Sequence, residues 1–237
     1  GVDITSYGND LPGKPKLGEI IKRLLNILPN LKRLRLSSID PAEIDQDLLD
    51  LIIYENKIMP HVHLSAQSGD NMILKRMKRR HNRKELLDLC SYIKKKRPSM
   101  TFGADIIVGF PTETQQNFEN TYDCIKQCGF SNLHIFPFSP KIGTPANKMP
   151  QIERNIINDR AKQLRNLGSS LKIDFMKKKI GKIKTILFEG TNLSYTDDYF
   201  KVSVPDIEKN QIKKMNGNLI DVKFKSFDEK SLIAKIV

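Results

Sequence analysis

Hydrophobic positions along this 237-residue chain follow two rhythms, and the change near residue 180 divides it. Leu31-Lys-Arg-Leu-Arg-Leu36 alternates at period two, which predicts a strand. Asp40-Pro-Ala-Glu43 then offers an N-cap, a proline at the first helical position and a glutamate at the third. Ile44, Leu48, Leu51 and Ile52 follow at helical spacing. His61–Gln67 predicts the next strand, residues 71–97 a basic helical region, and Met100–Val108 a third strand. Its Ile106-Ile-Val108 run suits a strand covered on both faces. Gly109 lets the backbone approach a neighbour closely, Pro111 fixes a turn, and Thr112 can cap a helix over residues 113–128 that Gly129 closes. Leu133–Phe136 is a further strand. Strand–helix units of this length imply parallel strands with right-handed crossovers, an α/β unit; periodicity alone leaves open stack and barrel equally possible.

Past residue 150 the pattern changes. The stretch from Pro137 to Pro150 interrupts it, and a long polar helix is expected over about residues 152–179, with Ile157, Leu164, Leu167 and Leu171 on its apolar stripe. From Gly181 onward short β-rich runs appear at Lys184–Phe188, Tyr199–Val204, Leu219–Phe224 and Leu232–Val237. Turn signals at Pro205-Asp206 and Asn216-Gly-Asn218 separate them. The expected organisation is an α/β unit over 1–150, a connecting helix over 151–180, and a small five-stranded all-β barrel over 181–237.

Charge adds a partner. Forty Lys and Arg against 27 Asp and Glu leave a net charge of +13, which favours a polyanion, nucleic acid first, although a Lys-rich composition throughout would look the same. No apolar stretch approaches the length of about 20 residues needed to span a bilayer, and no signal-peptide pattern opens the chain. Three cysteines, an odd number at no framework spacing, fit a reducing compartment, so a cytoplasmic protein is expected. The chain opens at Gly1, inside what reads as a strand end (Gly1-Val-Asp-Ile4), as a piece of a longer polypeptide would.

Candidate chemistry gathers after the strands. Gln67-Ser-Gly-Asp70 is a ligand-type turn, and seven of the ten residues from Lys75 to Lys84 are Lys or Arg. That run is either a solvated helix face or a surface for phosphate or carboxylate, with Arg79 and Arg80 the residues to test. His61 and His63 share a face of their strand, but two histidines without a third ligand do not make a metal site, and none is expected. Cys90, Cys124 and Cys128 read as packing residues. Asp105 serves equally well as a satisfied structural carboxylate or as a catalytic one.

Six ordered motifs carry a resemblance: Gly1-Val-Asp-Ile-Thr-Ser-Tyr-Gly8, Arg35-Leu-Ser-Ser-Ile-Asp-Pro41, His63-Leu-Ser-Ala-Gln-Ser-Gly69, Lys75-Arg-Met-Lys-Arg79, Asp105-Ile-Ile-Val-Gly-Phe-Pro-Thr-Glu113 and Phe136-Pro-Phe-Ser-Pro-Lys-Ile-Gly-Thr-Pro145. Together they resemble the radical S-adenosylmethionine tRNA methylthiotransferases of the MiaB and MtaB group. Leu36-Ser-Ser-Ile-Asp-Pro41 and the His-x-His before the Gln-Ser-Gly turn lean towards MtaB. The resemblance implies a partial (β/α) barrel of radical SAM type lacking its first strand, followed by a TRAM-like RNA-binding barrel. It implies S-adenosylmethionine used twice, as radical source and methyl donor, to place a methylthio group on C2 of a modified adenosine beside the tRNA anticodon. In the MtaB branch that base is N6-threonylcarbamoyladenosine. The implied polyanion is tRNA, through its anticodon stem-loop, rather than DNA or a membrane.

The resemblance also implies site residues. Asp3 would meet the methionine amino group of the cofactor, Ser65 and Gln67 its ribose and carboxylate, and Arg79 a carboxylate. Ile107, Val108 and Gly109 would cradle the adenine by backbone contact, with Phe136 packed on it. Arg80, Lys182, Tyr195, Thr196, Tyr199 and Lys201 would face RNA. Ser194 and Asp198 stand where the family has Gly and Asn, which puts individual RNA contacts in doubt. The family holds [4Fe-4S] clusters on cysteines that precede Gly1, one set as Cys-x-x-x-Cys-x-x-Cys. Cys124-x-x-x-Cys128 lacks the third cysteine and falls on a helix, so this polypeptide alone is expected not to cleave S-adenosylmethionine. Two other readings stay open: a non-catalytic relic that retains only tRNA binding, and a cluster-free barrel lyase, which leaves the β-rich end unexplained.

Overall fold

The computed structural model describes residues 3–189, 193–207 and 209–237. The chain folds as two compact units, residues 1–168 and 169–237. Gly1 and Val2 lie outside the described residues; Asp3 and Ile4 are coil, not the strand end expected there.

In the first unit, α1 (Leu17–Ile27) precedes a four-stranded parallel sheet. Its strands, in spatial order, are β1 (Ser38–Ile39), β2 (His61–Gln67), β3 (Thr101–Val108) and β4 (Asn132–Pro137). The alternating Leu31–Leu36 segment is not a strand: it makes one isolated parallel bridge, Leu34 to Ile58, and ladder pairing starts at Ser38. The helix after it also starts later than its sequence suggests. Asp40 accepts from the Ala42 N–H and caps only a 3₁₀ turn, Pro41–Glu43. Asp45 accepts from the Leu48 N–H at 2.9 Å and caps α2 (Gln46–Tyr54). Two competing acidic caps five residues apart explain the shift.

The basic region splits into α3 (Asn71–Arg76) and α4 (Arg83–Lys96) because each half has its own cap. Asp70 accepts from the Met72 and Ile73 N–H groups, and Asn82 forms a reciprocal capping box with Glu85. α5 (Gln115–Cys128) is capped by Thr114 rather than Thr112, and closed by Gly129 at φ +65°. Val62, Leu64, Ala66, Phe102, Ala104, Ile106 and Val108 are all buried, so one face of β2 and β3 forms the core. The other face carries His61, His63, Ser65 and Gln67 on β2, and Thr101, Asp105 and the apolar Ile107 on β3.

α6 (Arg154–Lys177) runs from the first unit into the second. The second unit is a closed barrel of β5 (Ile183–Leu187), β6 (Leu193–Thr196), β7 (Lys201–Ser203), β8 (Leu219–Phe227) and β9 (Leu232–Ile236), in the order β5-β6-β7-β9-β8. Met176, Ile186, Phe200, Val202, Val222, Phe224 and Leu232 fill it. A short helix, α7 (Lys209–Met215), lies between β7 and β8, in a stretch where sequence signals only turns. The barrel's strand pairs are antiparallel except β7 with β9. Among the described residues, no helix is long and apolar enough to cross a membrane.

Candidate functional site

A cavity of about 400 Å³ at the carboxyl ends of β1 and β3 is lined by Asp3, Asp40, Met77, Lys78, Arg79, Arg80, Ile107 and Phe110. Each lining segment is locally fixed. Thr5 and Ser6 hydroxyls donate to Asp3, and the Ser6 bonds hold its carboxyl below the ordinary range. Asp40 is buried, and its backbone N–H donates to Thr5 Oγ1 at 3.3 Å. Arg79 Nη1 reaches Asp40 Oδ2 at 3.5 Å, while Arg80 Nη2 lies 2.5 Å from Glu43 Oε1 and 3.8 Å from Asp40 Oδ2. Lys78 adopts φ +57°, which bends the chain between α3 and α4 so that Lys78, Arg79 and Arg80 all reach the cavity. Two carboxylates and three cations thus line one small space.

The Asp105–Glu113 segment ends β3 in a clamped turn. Gly109 has φ +75°, and its N–H donates to both Glu113 carboxylate oxygens at 3.3 Å. Arg160 from α6 donates to the Glu113 carbonyl at 2.9 Å and its Oε1 at 2.8 Å. Burial pushes the Glu113 carboxyl above its ordinary pKa, and Arg160 opposes that shift. Thr112 sits at φ +66° with its hydroxyl accepting from Arg76, so the turn uses it instead of the helix. A Cβ on Gly109 would lie 2.5 Å from Ile157 Cγ1. The close approach that sequence anticipated is therefore made to a protein side chain.

A second polar group lies on the open face of the sheet. His63 Nε2 is 2.9 Å and His134 Nδ1 is 3.1 Å from the same oxygen, Asp105 Oδ1. Burial raises the Asp105 pKa, but the two imidazoles outweigh it and leave the carboxyl below its ordinary range. An ionised carboxylate has no proton to give, so both imidazoles donate. Gly103 makes room for this: a Cβ there would meet His63 Nδ1 at 2.5 Å and His61 Nε2 at 3.3 Å. His61, on the same strand, places Nδ1 2.9 Å from Thr101 Oγ1.

Of the residues expected to bind cofactor, Asp3, Arg79 and Ile107 line the cavity, together with Arg80. Ser65, Gln67, Val108, Gly109 and Phe136 do not. A bulge between Leu64 and Gln67 pairs Gln67 with Ile106 instead of Ile107, and Gln67 is buried at φ +63°. Phe136 is exposed beside His134, ring edge to ring face. Sequence reasoning missed Asp40, Lys78 and Phe110; the Asp40 cap signal hid its second use. In the barrel, Tyr195 and Tyr199 stack at 5.1 Å and 18°, and Lys182 and Lys201 are exposed. Thr196 is fully buried, donating to Asp198 Oδ1 at 2.7 Å and accepting from the Phe200 N–H at 2.8 Å, so its hydroxyl builds the turn.

The radical SAM superfamily model matches residues 2–125, more than half of the chain. The chain belongs to the radical SAM superfamily. This radical SAM chain is 51% identical over 204 residues to the threonylcarbamoyladenosine tRNA methylthiotransferase MtaB of Rickettsia prowazekii, covering 86% of this chain and 48% of that protein. It is 32% identical over 233 residues to the Bacillus subtilis protein of the same name, covering 94% and 50%. A tRNA-2-methylthio-N(6)-dimethylallyladenosine synthase of Ehrlichia canis is 36% identical over 192 residues, covering 80% and 43%. The chain thus spans about half the length of the curated relatives it matches. Among solved structures, the radical SAM enzyme coproporphyrinogen III oxidase from Escherichia coli matches with a TM-score of 0.54 at 13% identity, over 89% of this chain and 56% of that one, a likeness of fold.

Proposed function

We propose that this chain is part of a tRNA methylthiotransferase acting on C2 of N6-threonylcarbamoyladenosine beside the anticodon. The observation that carries the reading is the 51% identity to the Rickettsia prowazekii protein across 86% of the chain. The cavity supports it independently. S-adenosylmethionine carries an ammonium and a carboxylate on one end and a flat base on the other. Asp3 and Asp40 suit the ammonium, Arg79 the carboxylate, and Ile107 with Phe110 an apolar face. When bound, that cofactor supplies the methyl group and the radical chemistry of the superfamily. The chain's own part is to bind, orient and fix it against the strand ends.

An iron–sulfur cluster does not fit the cysteines present. Cys90, Cys124 and Cys128 are all buried. The Cys128 thiol and burial push Cys124 far above the ordinary thiol pKa. Cys128 itself is stabilised as a thiolate by Cys124, but Cys90 and burial together outweigh this and push it up as well. Three buried side chains on α4 and α5 do not present the trio of accessible thiolates a cluster needs. Any reaction therefore requires ligands beyond these residues, and the chain alone is a binding unit for cofactor and tRNA.

Two binding measurements test this. Calorimetry with S-adenosylmethionine should show one saturable site, weakened at least about tenfold by Arg79→Ala through loss of a charge-assisted contact. Absence of saturable binding in the folded chain removes the cavity assignment. Binding of an anticodon stem-loop bearing N6-threonylcarbamoyladenosine should fall steeply with salt and weaken in Tyr199→Ala and Lys201→Ala. An unmodified DNA hairpin bound equally well would overturn the tRNA reading.

A further inference from the structure

We propose that His63, Asp105 and His134 form a divalent-cation site for a borderline transition metal such as Zn²⁺, bound through His63 Nε2, Asp105 Oδ1 and His134 Nδ1, each imidazole moving its proton to its other ring nitrogen as the ion replaces the two hydrogen bonds to Asp105. The site stands independently of the methylthiotransferase reading, and none of the three residues lines the cavity.

The sheet builds the site from three adjacent strands. Asp105 on β3 pairs directly with His134 on β4, and His63 on β2 pairs with Gly103, two residues before Asp105. In a parallel sheet this sets His63 diagonally across from Asp105 on the same face. Glycine at position 103 removes the side chain that would otherwise fill the space under the His63 ring. The rings of His63 and His134 then lie 4.8 Å apart.

Donor geometry is what favours a cation. The three ligand atoms all lie within 4.8 Å of one another, with the two nitrogen–oxygen separations at 2.9 and 3.1 Å. Metal bonds of about 2.0–2.2 Å place neighbouring ligand atoms about 2.8–3.1 Å apart in octahedral and about 3.3–3.6 Å apart in tetrahedral coordination. Two of the three separations already come close to that requirement, and only the nitrogen pair has to close. Two imidazole nitrogens and one carboxylate oxygen are a donor set suited to zinc and to ferrous or cobaltous ions, and three protein ligands leave positions open for water or an oxygen ligand.

The burial gradient fits the same use. The side chains of His63 and Asp105 are 12% and 21% exposed, whereas that of His134 is 52% exposed, so the cluster has a rigid floor and an open edge by which an ion enters.

The test uses tag-free, metal-stripped chain titrated with Zn²⁺ and with Co²⁺, read by calorimetry and by visible d–d absorption. One ion per chain is expected, with nitrogen–oxygen coordination in the cobalt spectrum and no thiolate charge-transfer band. His134→Ala, on the exposed edge, should keep its circular dichroism and lose affinity at least about tenfold, as should Asp105→Asn. Retained stoichiometry and affinity in folded His134→Ala overturn the proposal. So does a thiolate band, which would assign the ion to the cysteines, or an absence of binding to the unaltered chain.

Discussion

Arg160 Nη1 lies 2.8 Å from Glu113 Oε1, with both side chains buried. The pair joins the first turns of α6 to the end of β3, and through Glu113 it holds the Gly109 N–H. Removing one partner of a desolvated ion pair leaves an uncompensated buried charge, whereas replacing both by apolar side chains is often nearly neutral. Glu113→Ala should therefore cost about 3–5 kcal/mol by leaving the guanidinium uncompensated. Glu113→Leu combined with Arg160→Met should recover most of that loss. Urea midpoints for the three proteins check it, and a double variant no more stable than Glu113→Ala would contradict this account.

Gly109 is the second element of that turn. Alanine there must hold φ +75° and push against Ile157 Cγ1 at 2.5 Å. Strain and overlap together predict a loss of about 1–3 kcal/mol. The same change in an Ile157→Ala background should cost less, because only the backbone strain remains. A thermal-melt double-mutant cycle measures the coupling; strict additivity would show that Ile157 does not resist the methyl group.

Asp70 carries a pH dependence. Burial raises its pKa, but Asn120 and the α3 N–H groups of Ile73 and Met72 more than reverse this, and its carboxyl titrates below the ordinary range. A depressed folded pKa means stability that is complete above the unfolded value of about 3.9 and is lost as pH falls through the folded one. Asp70→Asn should flatten that acid-side decline while keeping a cap. Asp70→Ala should lose about 0.5–2 kcal/mol at neutral pH. Urea titrations from strongly acidic to neutral pH distinguish the two, and an unchanged slope in Asp70→Asn would show that Asp70 is not the group responsible.

The cysteines should be inert. Cys124 and Cys128 share the inner face of α5 with thiol pKa values raised well above the usual range, and Cys90 is buried beside them. At mildly alkaline pH, iodoacetamide should label none of the three until the protein unfolds, and then all three together. Mass spectrometry of the native protein showing rapid single labelling would identify an accessible thiol and contradict this.

Much of the fold was legible from local chemistry. The Ile106–Val108 run, the Gly129 stop and the short β-rich runs after Gly181 each report a preference that one segment can express alone, and each element forms. Errors fall where two local signals compete. Leu31–Leu36 alternates like a strand, yet it has too few ladder partners to be one. Asp40 signals a helix cap, yet Asp45 provides the better one and frees Asp40 for the cavity. Thr112 precedes a helix, yet its left-handed backbone gives the cap to Thr114.

Periodicity, composition and ordered motifs suffice for the parallel α/β unit, the β-rich end and the basic charge. All of these signals are carried by neighbours along the chain. Three other outcomes are settled by packing in space: Gly109 makes room for Ile157, Thr196 is spent inside its turn, and His63 meets Asp105 and His134. They depend on which strands lie side by side and in what register. Residues 63, 105 and 134 become neighbours only when β2, β3 and β4 pair.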